Sequence, residues 1–209
     1  MSESIAPQKA IVFDLDGTLS DGSHRLHLLP KAGLNINQSW DEFNLASKDD
    51  APLQDNIDLC NILGLTHRII ILTGRSAVAK DITLAWLDKY GVDYDNLIMR
   101  GENDHRKDVE FKESVLLPLK EHILCAFDDL EHVAEHIRSL GITCHLVTKY
   151  DKPLAHQADH RKVFDVVHPK VEGILRQVQF ERDCEWVQAI QNAGGEVSVL
   201  HSTKAGVQC

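Results

Sequence analysis

The stretch KAIVFDLDGTL, residues 9–19, decides how the rest of the chain is interpreted. Its apolar first half is typical of a buried strand, and two carboxylates, Asp14 and Asp16, follow directly. Residues two apart in an extended chain point to the same side. We therefore expect both carboxylates to face one cavity, with Leu15 packed below them and a sharp backbone turn at Gly17.

Short apolar runs of the same kind recur along the chain and alternate with helical patterns. The predicted strands are residues 9–13, 67–72, 96–99, 123–127 and 142–147, and the predicted helices are residues 53–63, 76–90, 109–117 and 130–140. Strands that alternate with helices in this way favour right-handed crossovers. The sequence therefore predicts an α/β fold, a doubly wound, Rossmann-like parallel sheet with helices on both faces.

Two segments do not fit the alternation. Residues from about 20 to 52 predict a small insert over the strand ends, too short for a full cap domain. Residues 1–150 then form the core, and residues 151–209 form a mainly helical extension that packs on the core or serves in oligomerisation. This extension has an imperfect helix over 170–191 and a Gly- and Ser-rich tail, expected to be frayed, from Ala193 on.

Composition excludes several classes of protein. The chain has 209 residues, 43% of them hydrophobic and 26% charged, which argues against wholesale disorder. Five scattered cysteines without a CxxC pair, and an N-terminus without an apolar segment, predict reduced thiols in a cytoplasmic protein with no membrane attachment. A formal net charge of −10 disfavours an extended grip on nucleic acid but allows a small anionic substrate.

Ligands of such sheets bind at the carboxyl ends of the strands, so the polar residues there are the candidate site. Thr73, Gly74 and Arg75 follow the second predicted strand and would present a hydroxyl, an amide and a guanidinium to phosphate at the start of a helix. The alternative is that this segment only caps the helix.

Two further strand ends carry charged residues. Asp108 and Lys112 are four residues apart and share a helix face, with a simple surface ion pair as the alternative. Asp128 and Asp129 follow the fourth predicted strand. Together with the two carboxylates after the first strand, they predict an oxygen-rich site for a hard divalent ion such as Mg²⁺.

The four segments IVFDLDGTL, ILTGR, the lysine-bearing helix and AFDD resemble, in this order, the four motifs of the haloacid dehalogenase superfamily. The resemblance covers roughly residues 9–147 and is greatest to the phosphatase domain of phage polynucleotide kinase. That domain removes 3′-phosphates from nucleic-acid ends and from nucleotides. The chain contains no GxxxxGK[ST] loop, so we expect no kinase domain in it.

The resemblance implies a role for each motif residue. Asp14 would be the nucleophile that forms an aspartyl-phosphate, and Asp16 would protonate the leaving oxygen and later deprotonate water. Thr73 and nearby amides such as that of Gly74 would bind the phosphoryl oxygens. Lys112 would balance the charge.

Further roles concern orientation, substrate and metal. Asp108 would orient the lysine, Thr18 would steady Asp16, and Arg25 and Arg75 would bind the substrate phosphate or nucleotide. Mg²⁺ would be held by the carboxylates of Asp14 and Asp128 and the backbone carbonyl of Asp16, with Asp129 assisting.

The expected partner is thus a small phosphorylated substrate, a nucleotide or a phosphorylated nucleic-acid end, and the protein would be a monomer or homodimer. The alternatives are a phosphatase of another small metabolite, such as a sugar phosphate, and a non-catalytic binding protein on the same fold. Trp40 either packs within the insert or stacks on a base, since the insert overhangs the site.

Overall fold

We describe residues 9–147 and the backbone of residues 196–198 in a computed structural model of the protein. In chain order the strands are β1 Ala10–Phe13, β2 Ser20–Asp21, β3 Ala51–Pro52, β4 Arg68–Ser76, β5 Asn96–Arg100, β6 Ile123–Asp128, β7 Cys144–Leu146 and β8 Glu196–Ser198. Six of them form one sheet in the order β7-β6-β1-β4-β5-β8. All neighbours in it are parallel except β8, which runs antiparallel to β5.

Helices cover both faces of this sheet. They are α1 Asp41–Leu45, α2 Gln54–Gly64, α3 Lys80–Lys89, α4 Asp108–Leu119 and α5 Glu131–Ser139. In β1, Val12 packs with Phe111 of α4, whereas Ile11 and Phe13 pack with Trp86 of α3. The doubly wound α/β fold predicted from the sequence is confirmed, and a strand buried on both faces explains why β1 carries no polar residue.

The predicted insert, residues 20–52, begins and ends in the short antiparallel pair β2–β3. Between these strands lie α1 and three 3₁₀ turns, at Ser23–Leu28, Asn37–Trp40 and Ala46–Asp49. Its tip is fixed to the sheet end by the buried Asn37, whose side-chain amide donates to the Gly101 carbonyl at 3.1 Å and to the Glu102 carbonyl at 3.0 Å. The insert therefore lies over the carboxyl ends of the strands.

Two sequence expectations need correction. Thr73, Gly74 and Arg75 do not begin a helix: they continue β4, because Ser76 still pairs with Arg100 of β5 after an irregularity in the register. The tail expected to be frayed contributes β8, which extends the sheet at its edge. The helix predicted over 170–191 lies outside the described residues, and the division at residue 150 stays a prediction.

The helices and cysteines of the described residues bear on membrane insertion and on disulfide formation. None of the helices in that part of the chain is both long and apolar enough to span a bilayer. Cys60, Cys125 and Cys144 are buried thiols that form no disulfide with another described residue, as predicted for these three.

Candidate active site

A buried lysine joins two carboxylates at the end of β1. The backbone amide of Asp14 donates to the Phe127 carbonyl at 2.9 Å, so the chain is still paired with β6 as it leaves the strand. The Lys112 Nζ of α4 donates to Asp14 Oδ1 at 2.9 Å and to Asp128 Oδ2 at 2.7 Å. Three segments that are distant in sequence thus meet in one ion cluster, and all three side chains are buried.

The third acid beside this lysine, Asp108, is positioned by an arginine. Asp108 Oδ2 lies 3.2 Å from Lys112 Nζ, and Arg100 Nη2 donates to Asp108 Oδ1 at 2.8 Å. Arg100 Nε also donates to the Gly74 carbonyl at 3.0 Å. A Cβ on Gly74 would overlap the Asp108 carboxylate, so the glycine permits a close approach between β4 and the start of α4.

Negative charge exceeds positive charge around Asp14. Burial raises the pKa of Asp14 well above its usual range; Lys112 opposes the rise, and Asp128 adds to it. Burial alone would lower the pKa of Lys112, but the charges of Asp14, Asp108 and Asp128 raise it above its usual range. The ammonium of Lys112 therefore stays protonated. One ammonium facing three acids leaves the cluster able to accept another cation.

Asp129 is the fourth acid at this end of the sheet. Its carboxylate fills the space that a Cβ on Gly17 would occupy, which brings it against the turn after β1. Burial, with the charge of Asp128, raises the pKa of Asp129 to about 6. Within residues 9–147 and 196–198, no three acidic, histidine or cysteine side chains come together as a preformed metal site.

The donor set still fits a hard divalent cation. The carboxylates of Asp14, Asp128 and Asp129 and the backbone at Asp16 offer only oxygen atoms, which Mg²⁺ prefers. Burial is the main cause of the raised pKa values of Asp14 and Asp129, and the neighbouring charge of Asp128 adds to both. These residues therefore match the predicted ligand set in chemistry, while Lys112 supplies the cation between two of them.

Asp16 lies beside the first cluster but in the opposite electrostatic setting. Its Oδ1 accepts from Arg25 Nη2 at 2.5 Å and from Arg75 Nη2 at 2.6 Å. Burial opposes ionisation, yet the attraction of Arg75 and then Arg25 lowers the pKa of Asp16 to about 2. Asp16 is consequently ionised at neutral pH.

The two arginines are themselves held by a buried acid of the insert, Asp50, which sequence reasoning missed. Arg25 Nε and Nη2 donate to its two oxygens at 2.7 and 2.8 Å, and Arg75 Nη2 donates to Oδ2 at 3.1 Å. We call Asp16, Arg25, Arg75 and Asp50 the arginine clamp. Nothing in the sequence spacing distinguishes Asp50 from its exposed neighbour Asp49. Its role is seen only in the structure, where Asp50 is buried and pairs with both arginines.

The clamp bears on the expectation that Arg25 and Arg75 bind the substrate phosphate or nucleotide. Both line the cavity described below, but their guanidinium groups are buried and occupied by carboxylates rather than turned freely toward a substrate. Arg75 also donates to Thr83 Oγ1 at 3.1 Å. Both residues thus contact Asp16 directly, and their binding of substrate stays a prediction.

The two threonines predicted at the site differ in what they contact. Thr73 Oγ1 lies 3.4 Å from Asp16 Oδ2 and accepts from the Arg75 amide at 3.1 Å. The Thr18 hydroxyl is buried and has no hydrogen-bond partner among the described residues, so it does not hold Asp16 as expected. The Thr18 carbonyl accepts instead from Asn56 of α2 at 2.7 Å, which fixes the turn after β1.

A cavity of about 590 Å³ gives access to both ion clusters. Asp14, Asp16, Lys112 and Asp129 line its inner end, together with Thr73. The insert and the loop at 104–107 line its mouth. A ligand in this cavity would meet the carboxylates from β1 and the lysine from α4 together.

The family model described as the polynucleotide kinase PNKP phosphatase domain matches residues 8–151. No curated protein matches the chain. In a structure of the Pnkp1/Rnl/Hen1 RNA repair complex, a chain of 26% identity matches with a TM-score of 0.54, covering 73% of this chain and 46% of that one.

A second structure of a Pnkp1/Rnl/Hen1 complex contains a chain of 27% identity that matches with a TM-score of 0.52. The match covers 70% of this chain and 48% of that chain. This chain therefore spans about half the length of each of these two solved chains.

We predict that Asp50→Ala destabilises the fold by about 3–5 kcal/mol, because it removes one of the two acids that pair with the buried guanidinium groups of Arg25 and Arg75. Asp49→Ala is the matched control: this neighbour has an exposed side chain, and we expect a change within about 0.5 kcal/mol. Urea unfolding of both variants measures the difference. Equal stabilities of the two variants would contradict the structural role given to Asp50.

Proposed function

The chain belongs to the polynucleotide kinase PNKP phosphatase domain family, a haloacid dehalogenase-type family of phosphatases and thus of hydrolases. From this premise we propose that it is a Mg²⁺-dependent phosphomonoesterase that acts on a nucleotide or on a 3′-phosphorylated nucleic-acid end. The reaction passes through an aspartyl-phosphate on Asp14. The observation that carries the proposal is the buried Asp14–Lys112–Asp128 cluster, of which Asp14 and Lys112 line the cavity.

Charge is the main obstacle to hydrolysis of a phosphomonoester, because its anionic oxygens repel a nucleophile. Lys112, 2.9 Å from Asp14, places a fixed ammonium beside the attacking carboxylate and can offset charge on the phosphoryl group. Asp14, Asp128, Asp129 and the backbone carbonyl of Asp16 would hold Mg²⁺. When bound, the ion would supply further positive charge to the phosphoryl oxygens.

Two covalent steps follow for the protein's own residues. In the first, a carboxylate oxygen of Asp14 bonds to phosphorus, the bond from phosphorus to the leaving oxygen breaks, and the leaving oxygen takes a proton from Asp16. In the second, water attacks phosphorus, Asp16 accepts its proton, and Asp14 is released as a carboxylate. The ionised state that the clamp favours for Asp16 is the state required in the second step. The first step requires a protonated Asp16, so the bound substrate must first weaken the ion pairs of Asp16 with Arg25 and Arg75.

Phosphoryl oxygens also need hydrogen-bond donors. Thr73 and Gly74 line the cavity, and we assign the Thr73 hydroxyl and the Gly74 backbone amide to this task. Arg25 and Arg75 are the further candidates, provided that the substrate draws a guanidinium group away from its acid.

The substrate class rests on the family and on the RNA repair complexes that contain the matched chains. A nucleotide or a phosphorylated end fits that context. A sugar phosphate is the second candidate, favoured by the formal net charge of −10, which suits a small substrate better than a polynucleotide.

We predict hydrolysis of nucleoside 3′- or 5′-monophosphates or of 3′-phosphorylated oligonucleotides in the presence of Mg²⁺, with release of inorganic phosphate. Chelation of divalent cations should abolish the activity, and added Mg²⁺ should restore it. Sugar phosphates are tested in the same panel. Faster turnover of a sugar phosphate than of any nucleotide would favour the second candidate, and full activity in chelator would contradict the metal requirement.

We predict that Asp14→Asn lowers kcat/KM by at least about a hundredfold, equivalent to about 3 kcal/mol, because the amide cannot form the aspartyl-phosphate. Asp55→Asn, an exposed position on α2, controls for the loss of one negative charge. Steady-state rates of the two purified variants are compared. An Asp14→Asn protein with normal turnover would exclude the nucleophile assignment.

We predict that Gly74→Ala lowers kcat/KM on the order of a hundredfold, because the added methyl group displaces Asp108 and with it Lys112. Gly101→Ala is the control, since a Cβ there meets no described atom within 4 Å. Retained activity in both variants would show that the Asp108 approach does not position the lysine.

A further inference from the structure

An exposed apolar surface lies at the mouth of the catalytic cavity. We call it the apolar wall; it consists of Leu26, Leu29, Leu34, Trp40 and Phe43, all from the insert. Leu26 is 55% exposed and Leu34 is 63% exposed. Large apolar side chains grouped around a cavity mouth are typical of a binding surface.

The wall is directly connected to the reacting carboxylates. The Arg25 guanidinium, which contacts Asp16, also lies 4.0 Å from the centre of the Phe43 ring. The Phe43 and Trp40 rings meet edge to face with centroids 6.2 Å apart. Trp40 Nε1 donates to the Leu34 carbonyl at 3.2 Å, so the polar atom of the indole is satisfied and its half-exposed ring is available for apolar contact.

Hydrogen bonds hold the wall in position. Asn37, at the start of the turn that ends with Trp40, donates to the Gly101 and Glu102 carbonyls beyond β5 and to Ser76 Oγ at 3.2 Å. These bonds fix the insert against the sheet end. A preorganised surface loses less conformational freedom when it binds.

We infer that the apolar wall is the subsite for the base of a nucleotide substrate. This inference rests on the proposed function and deepens it. The wall residues line the same cavity as Asp14, so a leaving group that extends along the cavity from a phosphoryl group at Asp14 can contact them. A base has flat faces that pack on aromatic and aliphatic side chains, whereas a sugar alone would present hydroxyl groups to these apolar side chains.

The test compares substrates with and without a base. Adenosine 3′-monophosphate is compared with ribose 3-phosphate, and adenosine 5′-monophosphate with ribose 5-phosphate. The double variant Leu26→Ser/Leu34→Ser alters side chains that are already more than half exposed, so its fold should persist. Trp40→Ala is the second variant, and Ile62→Ser, on α2 and 62% exposed, is the matched control outside the cavity.

We expect each wall variant to lower the ratio of kcat/KM for the nucleotide to that for the ribose phosphate by about tenfold. The Ile62→Ser protein should keep the wild-type ratio. An unchanged ratio in both wall variants would overturn the inference, as would a parallel loss on both substrates.

A binding measurement separates this inference from the proposed function. Calorimetry with the Asp14→Asn protein and Mg²⁺ gives the affinities for adenosine monophosphate and ribose phosphate without turnover. A preference for the nucleotide that shrinks about tenfold in the wall variants supports the subsite even if the wild-type protein hydrolyses neither compound. Equal affinities for the two compounds would overturn it, even if the protein is an active phosphatase.

Discussion

The ammonium of Lys112, held between Asp14 and Asp128, is the interaction on which the candidate site depends. Each partner is buried, and an isolated buried charge would be strongly unfavourable. The cluster is possible because β1 and β6 are adjacent parallel strands whose carboxyl ends coincide, while α4 covers the same edge. The fold therefore specifies the cluster, and the cluster constrains the loops that follow the strands.

Asp14 and Asp16 are two residues apart yet have opposite acid–base properties. Burial among acids raises the pKa of Asp14, whereas the two arginines lower the pKa of Asp16 to about 2. Two carboxylates in different environments are suited to different roles. The distinction originates in Arg75 and Arg25, which pair with Asp16 and are held in place by Asp50. Arg25 and Asp50 both belong to the insert, so the insert covers the cavity and also helps to set the charge state of a site residue.

Sequence reasoning succeeded where the physics is local or follows from strand order. The two-residue period of an extended chain predicted that Asp14 and Asp16 share a cavity, and both line it. The convergence of parallel strands at one sheet edge predicted that Lys112 lies near Asp14, although the two residues are 98 positions apart. It failed where tertiary pairing decides. Strand β4 continues through Arg75 because β5 offers partners, and Asp50 lies in an irregular segment with no periodicity that could indicate its burial.

The most direct test of the account is a rapid-quench experiment on the wild-type protein during turnover of its best nucleotide substrate. Acid quenching stops the reaction, and borohydride then reduces an aspartyl-phosphate to homoserine. Peptide mass spectrometry identifies the residue that has been converted. The account predicts homoserine at residue 14, formed and lost on the timescale of a single turnover. Turnover that proceeds with residue 14 unmodified at every quench time, or with the modification at another residue, would contradict it.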